Sequence, residues 1–153
     1  MTALIGMIMV MGALGYATWK MGEMPSSLSE VSYIIPHWLF SVGMMLVGIL
    51  YMPPLMDILS PNKTWLGFLM VLGIALVASS PYYKTESVKL HYIGAGVCFA
   101  FSQIVVAVAN PLLLMMWLIY PMILVKETRR LWLVAAEWIG IVELTLMILT
   151  YGR

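Results

Sequence analysis

The sequence predicts an all-α, polytopic transmembrane bundle of about six helices, formed as a single domain over residues 1–153. Three observations predict it. Hydrophobic residues make up 63% of the chain and charged residues 10%, where soluble domains hold about 45–50% and about 25%; mean hydropathy is +0.98. The apolar residues fall into six runs close to the roughly 20 residues needed to cross a hydrocarbon core. None of the runs shows the two-residue alternation of a membrane β-barrel. A soluble enzyme and a disordered segment are excluded, because the polar residues are too few to cover a core in water or to keep a chain unfolded. The net charge of +1 offers no field for a phosphate backbone, which excludes a nucleic-acid partner.

The first run, 2–19, has no Lys or Arg before Lys20. It lacks the basic flank of a secretory signal and reads as the first membrane helix. The second run, 28–52, opens on Ser27-Leu28-Ser29-Glu30, which fits a capping box with Ser27 as N-cap and Glu30 three residues on. Pro36 then kinks the helix. A second reading starts the helix at Pro36, which the first turn tolerates; the capping box is preferred. Pro53-Pro54 closes this run, and Ser79-Ser80-Pro81 closes the third, 64–79.

The fourth run, 90–109, is rich in small residues, including Gly94, Ala95, Gly96, Cys98 and Ala100. Small residues let helices approach closely in lipid, and Gly96 and Ala100 form a small-xxx-small pair, so this helix takes a central place. Asn110-Pro111 separates it from the fifth run, 111–126, whose bulk and lack of polarity predict a lipid-facing segment kinked at Pro121. The sixth run is 131–151. The third and fifth are short, so a five-helix arrangement with one re-entrant segment stays open. Trp19, Trp38, Trp65 and Trp132 lie near segment ends, as in an interfacial belt. Trp117 and Trp138 lie deeper and pack between helices. Cys98 has no partner for an intrachain disulfide.

Loops one, three and five hold Lys20, Lys84, Lys89, Lys126, Arg129 and Arg130, against Lys63 and Arg153 on the opposite side. The positive-inside rule places those three loops in the cytoplasm and both termini outside.

Ionisable groups inside a membrane are costly and default to a functional role. Of the eight basic and seven acidic residues, only Glu137 and Glu143 sit clearly inside a run. They join His37, His91, Gln103 and Tyr33 as candidates for binding a ligand or ion. The second, fourth and sixth helices enter from one side, so His37, His91 and Glu137 belong to that half. Glu143 follows Leu131, and Gln103 follows Leu90, at nearly the same depth, roughly 18–20 Å along their helices. They can bond if the two helices touch, with Gly140 leaving room beside the backbone.

Several chemistries find little support. His37, His91 and Glu137 could together supply three ligands to a metal, but helical spacing alone does not show that they converge. The fifteen methionines read as filler of apolar helices before they read as copper ligands. No cofactor is predicted; bound lipid is expected.

The segment Met24-Pro25-Ser26-Ser27-Leu28-Ser29-Glu30, followed by Tyr33 and Phe40, and the opening His91-Tyr92-Ile93-Gly94-Ala95 of a small-rich helix resemble uncharacterised six-helix membrane proteins of bacteria and phages, including those of gut Bacteroidetes. That group is distantly similar to the DRAM/Sfk-type membrane proteins, which are linked to membrane lipids. The resemblance implies a six-helix fold in a bacterial inner membrane and attention to residues 25–33 and His91. It implies no catalytic assignment.

Three function classes follow. The first is binding or transport of a small molecule or ion at a polar site within the bundle. The second is a lipid-modifying enzyme at the cytoplasmic leaflet, built on His37, His91 and Glu137. The third is an accessory protein acting through helix–helix contact, with homo-oligomerisation left open.

Overall fold

The computed structural model describes residues 1–82, 84–85, 87–123 and 131–151. Among these residues the chain is all-helical. The α-helices are α1 (Thr2–Met21), α2 (His37–Ile58), α3 (Thr64–Ala78), α4 (Val88–Ala109), the single turn α5 (Tyr120–Ile123) and α6 (Trp132–Tyr151). Two 3₁₀ helices, Leu28–Tyr33 and Pro111–Ile119, precede α2 and α5. Four helices, α1, α2, α4 and α6, are long and apolar enough to cross a membrane, as an integral membrane protein requires. α3 is apolar but has 15 residues, about 22 Å at the helical rise.

Contacts between loops fix the direction of each element. Ser32 of the first loop bonds the Pro81 carbonyl of the third, and Val134 at the start of α6 donates its N–H to the Ser26 carbonyl. The starts of α2, α4 and α6 therefore share one end of the bundle, here called the loop-one end. Residues 111–123 return along the bundle from the far end, and Tyr120 Oη reaches the Trp132 carbonyl at 3.1 Å.

Each α1 residue in the series Ala3, Gly6, Val10, Leu14 and Ala17 is buried, at steps of three and four. This stripe packs on α2 and α6. α1 ends where Gly22 takes a φ of 74°, the left-handed cap that glycine adopts without strain. The main core gathers Tyr51, Leu55, Met70, Val105, Val106 and Met147 from α2, α3, α4 and α6. A smaller one joins Leu14, Ala17, Val31 and Val134 at the loop-one end. Much apolar surface faces outward on every long helix, as lipid requires; Ile8, Ile49, Phe68 and Ile93 are all more than half exposed.

Four expectations change. The capping interaction is present, with Ser27 Oγ accepting from Glu30 N–H, but it starts the short 3₁₀ helix; α2 begins at His37 with Pro36 as N-cap. Pro53-Pro54 lies inside α2, which runs on to Ile58. The prolines remove two N–H donors, so the carbonyls of Ile49 and Leu50 lose their helical partners, while the helix itself continues past them. The fifth segment is mostly 3₁₀ rather than α-helical, and its part at 124–126 lies outside the described residues. Its outward face follows the three-residue period of that helix: Leu112, Met115 and Leu118 are exposed, while Leu114 and Trp117 turn inward. The expected lipid-facing character holds.

The central place expected of α4 falls instead to α6, the most buried of the four long helices, which packs on α1, α2 and α4; the small residues of α4 serve its contact with α3. Gly94 and Cys98 form its closest contact with α3, whereas Gly96 and Ala100 are exposed. Trp19, Trp38, Trp65 and Trp132 are exposed near helix ends, while Trp117 and Trp138 are partly buried between elements.

Candidate functional site

A cavity of about 590 Å³ lies between α1, α2, α3, α4 and α6, beneath the Leu28–Tyr33 3₁₀ helix. It falls within the roughly 300–1,000 Å³ typical of small-molecule sites. Its shape follows from α1 and α2. At one end the two helices touch: a Cβ on Gly6 would lie 2.9 Å from the Tyr51 ring. Toward the loop-one end, a Cβ on Gly12 or Gly43 would meet nothing within 4 Å, and both glycines line the cavity. Tyr16 and Leu39, on the cavity's edge, are both exposed. An opening thus lies between α1 and α2, on an apolar outer surface of the bundle.

The wall is apolar apart from a few groups. Glu137 supplies the only carboxylate among the described lining residues, and no Lys, Arg or His lines it. Glu137 Oε2 accepts the Leu28 N–H at 2.7 Å. Leu28 is the first residue of the 3₁₀ helix, where an N–H has no partner within the helix. The carboxylate therefore pins the cavity roof to α6. Val134 N–H to the Ser26 carbonyl, at 3.1 Å, repeats the attachment one turn earlier.

Behind the roof stands a polar cluster that ties loop one to loop three. Glu30 Oε2 accepts from Ser26 N (2.7 Å) and Ser26 Oγ (2.8 Å), and Oε1 pairs with Lys84 Nζ at 3.1 Å. Burial opposes ionisation here, but the Ser26 bonds and Lys84 outweigh it, holding the Glu30 carboxyl below its usual range. Lys84 N–H also donates to Tyr33 Oη at 2.8 Å, and its ammonium lies 5.0 Å from the Tyr33 ring centre. His37 packs on Tyr82 with ring centres 4.0 Å apart, and its Nδ1 is buried without a hydrogen-bond partner.

His91 has a different neighbour. Its Nδ1 lies 3.2 Å from Ser80 Oγ and 3.3 Å from the Ser80 carbonyl. Ser80 Oγ already donates to the Leu76 carbonyl at 2.6 Å, so Nδ1 carries the proton and donates. His91 fastens the start of α4 to the end of α3.

Gln103 and Glu143 form a third group at mid-height. They meet at one donor: Trp117 Nε1 gives to Gln103 Oε1 at 2.8 Å and to Glu143 Oε2 at 3.2 Å. Glu143 is fully buried, and its Oε1, like Gln103 Nε2, has no hydrogen-bond partner. The equal depth read from helix counting is borne out, and Gln103 Nε2 lies 3.6 Å from where a Gly140 Cβ would stand. Trp117 as the shared donor was outside that reading, although its deep position was the signal.

The six sequence candidates therefore divide. Glu137 lines the cavity; Tyr33 and His37 lie in the loop cluster; His91 serves the α3–α4 joint; Gln103 and Glu143 share Trp117. Among the described residues no three His, Cys, Asp or Glu side chains gather as a metal site needs. Sequence reasoning missed Lys84, Tyr82 and Gly43 as parts of these sites. No family model, curated protein or solved structure matches the chain.

Proposed function

We propose that this integral membrane protein binds, and passes across or along the membrane, a small lipophilic molecule held in the central cavity. The observation that carries the reading is an apolar cavity of about 590 Å³, opening between α1 and α2 and walled on one side by the Glu137 carboxylate. Membrane lipids have direct access to such an opening. The basic residues Lys20, Lys84 and Lys89 at the loop-one end support a cytoplasmic placement of that end, with six passes of the chain and both termini outside. The six-helix resemblance agrees with that count. Lipid chemistry at the cytoplasmic leaflet has less support, because His37, His91 and Glu137 each have separate partners.

The test is a comparison of wild type with Gly43→Phe. A Cβ at Gly43 would meet nothing within 4 Å, and Gly43 lines the cavity, so the ring is expected to occupy it. Protein purified from membranes and exchanged through detergent is extracted and analysed by mass spectrometry. A lipophile retained by wild type and lost from the variant is expected. Equal retention by both, or none by wild type, overturns the proposal.

A further inference from the structure

We infer that the cavity selects lipophilic cations, such as hydrophobic ammonium or phosphonium ions, over neutral or anionic molecules of the same size; this rests on the cavity-binding reading. The charge inventory of the wall is one-sided. Among the described lining residues Glu137 is the only carboxylate, and there is no Lys, Arg or His to balance it. Leu28 N–H is a neutral donor: at 2.7 Å it orients Oε2 and stabilises part of a negative charge there, but brings no countercharge. An uncompensated carboxylate in apolar surroundings is costly, and a bound cation removes that cost while gaining its own countercharge. An anion meets repulsion at the same place.

The aromatic residues of the wall act in the same direction. Tyr16, Phe40, Tyr51 and Phe99 all line the cavity. Ring faces carry negative potential and attract a cation most strongly when both are out of water. The remaining surface, from Val10, Met44 and Leu144 among others, suits the apolar body of such a ligand. The site thus joins one carboxyl group without a countercharge, four aromatic residues and a large apolar volume.

The experiment is equilibrium dialysis of purified protein in detergent micelles, with empty micelles as blank. Its probes are tetraphenylphosphonium and tetraphenylborate, which share size and shape but differ in the sign of charge. Wild type is expected to bind the phosphonium saturably and the borate at least tenfold more weakly. Glu137→Gln is expected to lose about tenfold in phosphonium affinity and to narrow the gap between probes. Its amide oxygen still accepts the Leu28 N–H, so the roof stays attached. Gly43→Phe is expected to lose both probes. Equal binding of the two ions, or undiminished phosphonium binding by Glu137→Gln, overturns cation selection while leaving the cavity reading intact. Unchanged binding by Gly43→Phe overturns the cavity reading itself. No saturable binding of the phosphonium by wild type overturns the selectivity.

Discussion

Gly73 and Gly94 bring the backbones of α3 and α4 into contact. A Cβ on Gly73 would lie 2.7 Å from the Gly94 carbonyl oxygen and 2.3 Å from Cys98 N, and one on Gly94 would lie 2.9 Å from the Gly73 carbonyl oxygen. These are backbone atoms, which cannot turn aside as a side-chain end can. The short α3 is thereby held against a helix that does span the membrane length.

Gly73→Ala therefore has to separate α3 from α4. We expect a loss of at least about 1–3 kcal/mol, the range for overpacking a filled site. Gly96→Ala, on the exposed face of α4, meets nothing within 4 Å and should keep stability or raise it by up to about 1 kcal/mol. Thermal unfolding in one detergent compares the two. Equal midpoints for both variants would contradict the close contact.

Glu30 makes the joint between loops one and three sensitive to acid. Its carboxyl is held below the usual range by Ser26 and Lys84 against the effect of burial. A depressed carboxylate contributes stability above its unfolded pKa and loses it as pH falls through the lower folded value. Hydrogen-exchange protection of residues 24–35, taken relative to the intrinsic rate at each pH, should be high at neutral pH and fall only in acid, below the ordinary carboxylate range. Glu30→Gln should exchange fast at neutral pH, with little further change on acidification. A pH-independent wild type would refute this.

Helix counting was enough to place Gln103 opposite Glu143, because depth along an α-helix is a fixed rise per residue. The 3₁₀ stretch at Pro111–Ile119 was not legible in this way. Leu, Met and Trp fit either helix, so composition does not separate the two. Pro53-Pro54 misled because proline costs a helix the bond to the carbonyl four residues earlier but does not end it outright, and α2 continues to Ile58. The cavity was least legible. It arises where α1 and α2 part at Gly12 and Gly43, and the same residue type forms a tight contact at Gly6.

Glu137 also has a structural duty that separates from ligand binding. Glu137→Ala leaves the Leu28 N–H without its acceptor, and we expect a cost of about 1–3 kcal/mol. Glu137→Gln keeps an oxygen there and should stay within about 1 kcal/mol of wild type. Unfolding midpoints of the two variants check this. If both fall equally, the negative charge rather than the hydrogen bond holds the roof.

Trp117 is the one donor that Gln103 and Glu143 share, so changes at these positions should not add. Trp117→Phe keeps most of the ring packing against Phe99 but strips hydrogen-bond partners from two acceptors. Leaving buried polar atoms unpaired should cost about 1–3 kcal/mol. Glu143→Leu removes one acceptor together with the buried Oε1 that already lacks a partner. It should therefore cost less than Trp117→Phe. In the double variant the indole and one of its acceptors are both gone, and the loss should fall below the sum of the single losses by about 0.5 kcal/mol or more. A strictly additive thermal-unfolding cycle would show that the indole bond to Glu143 contributes nothing to stability.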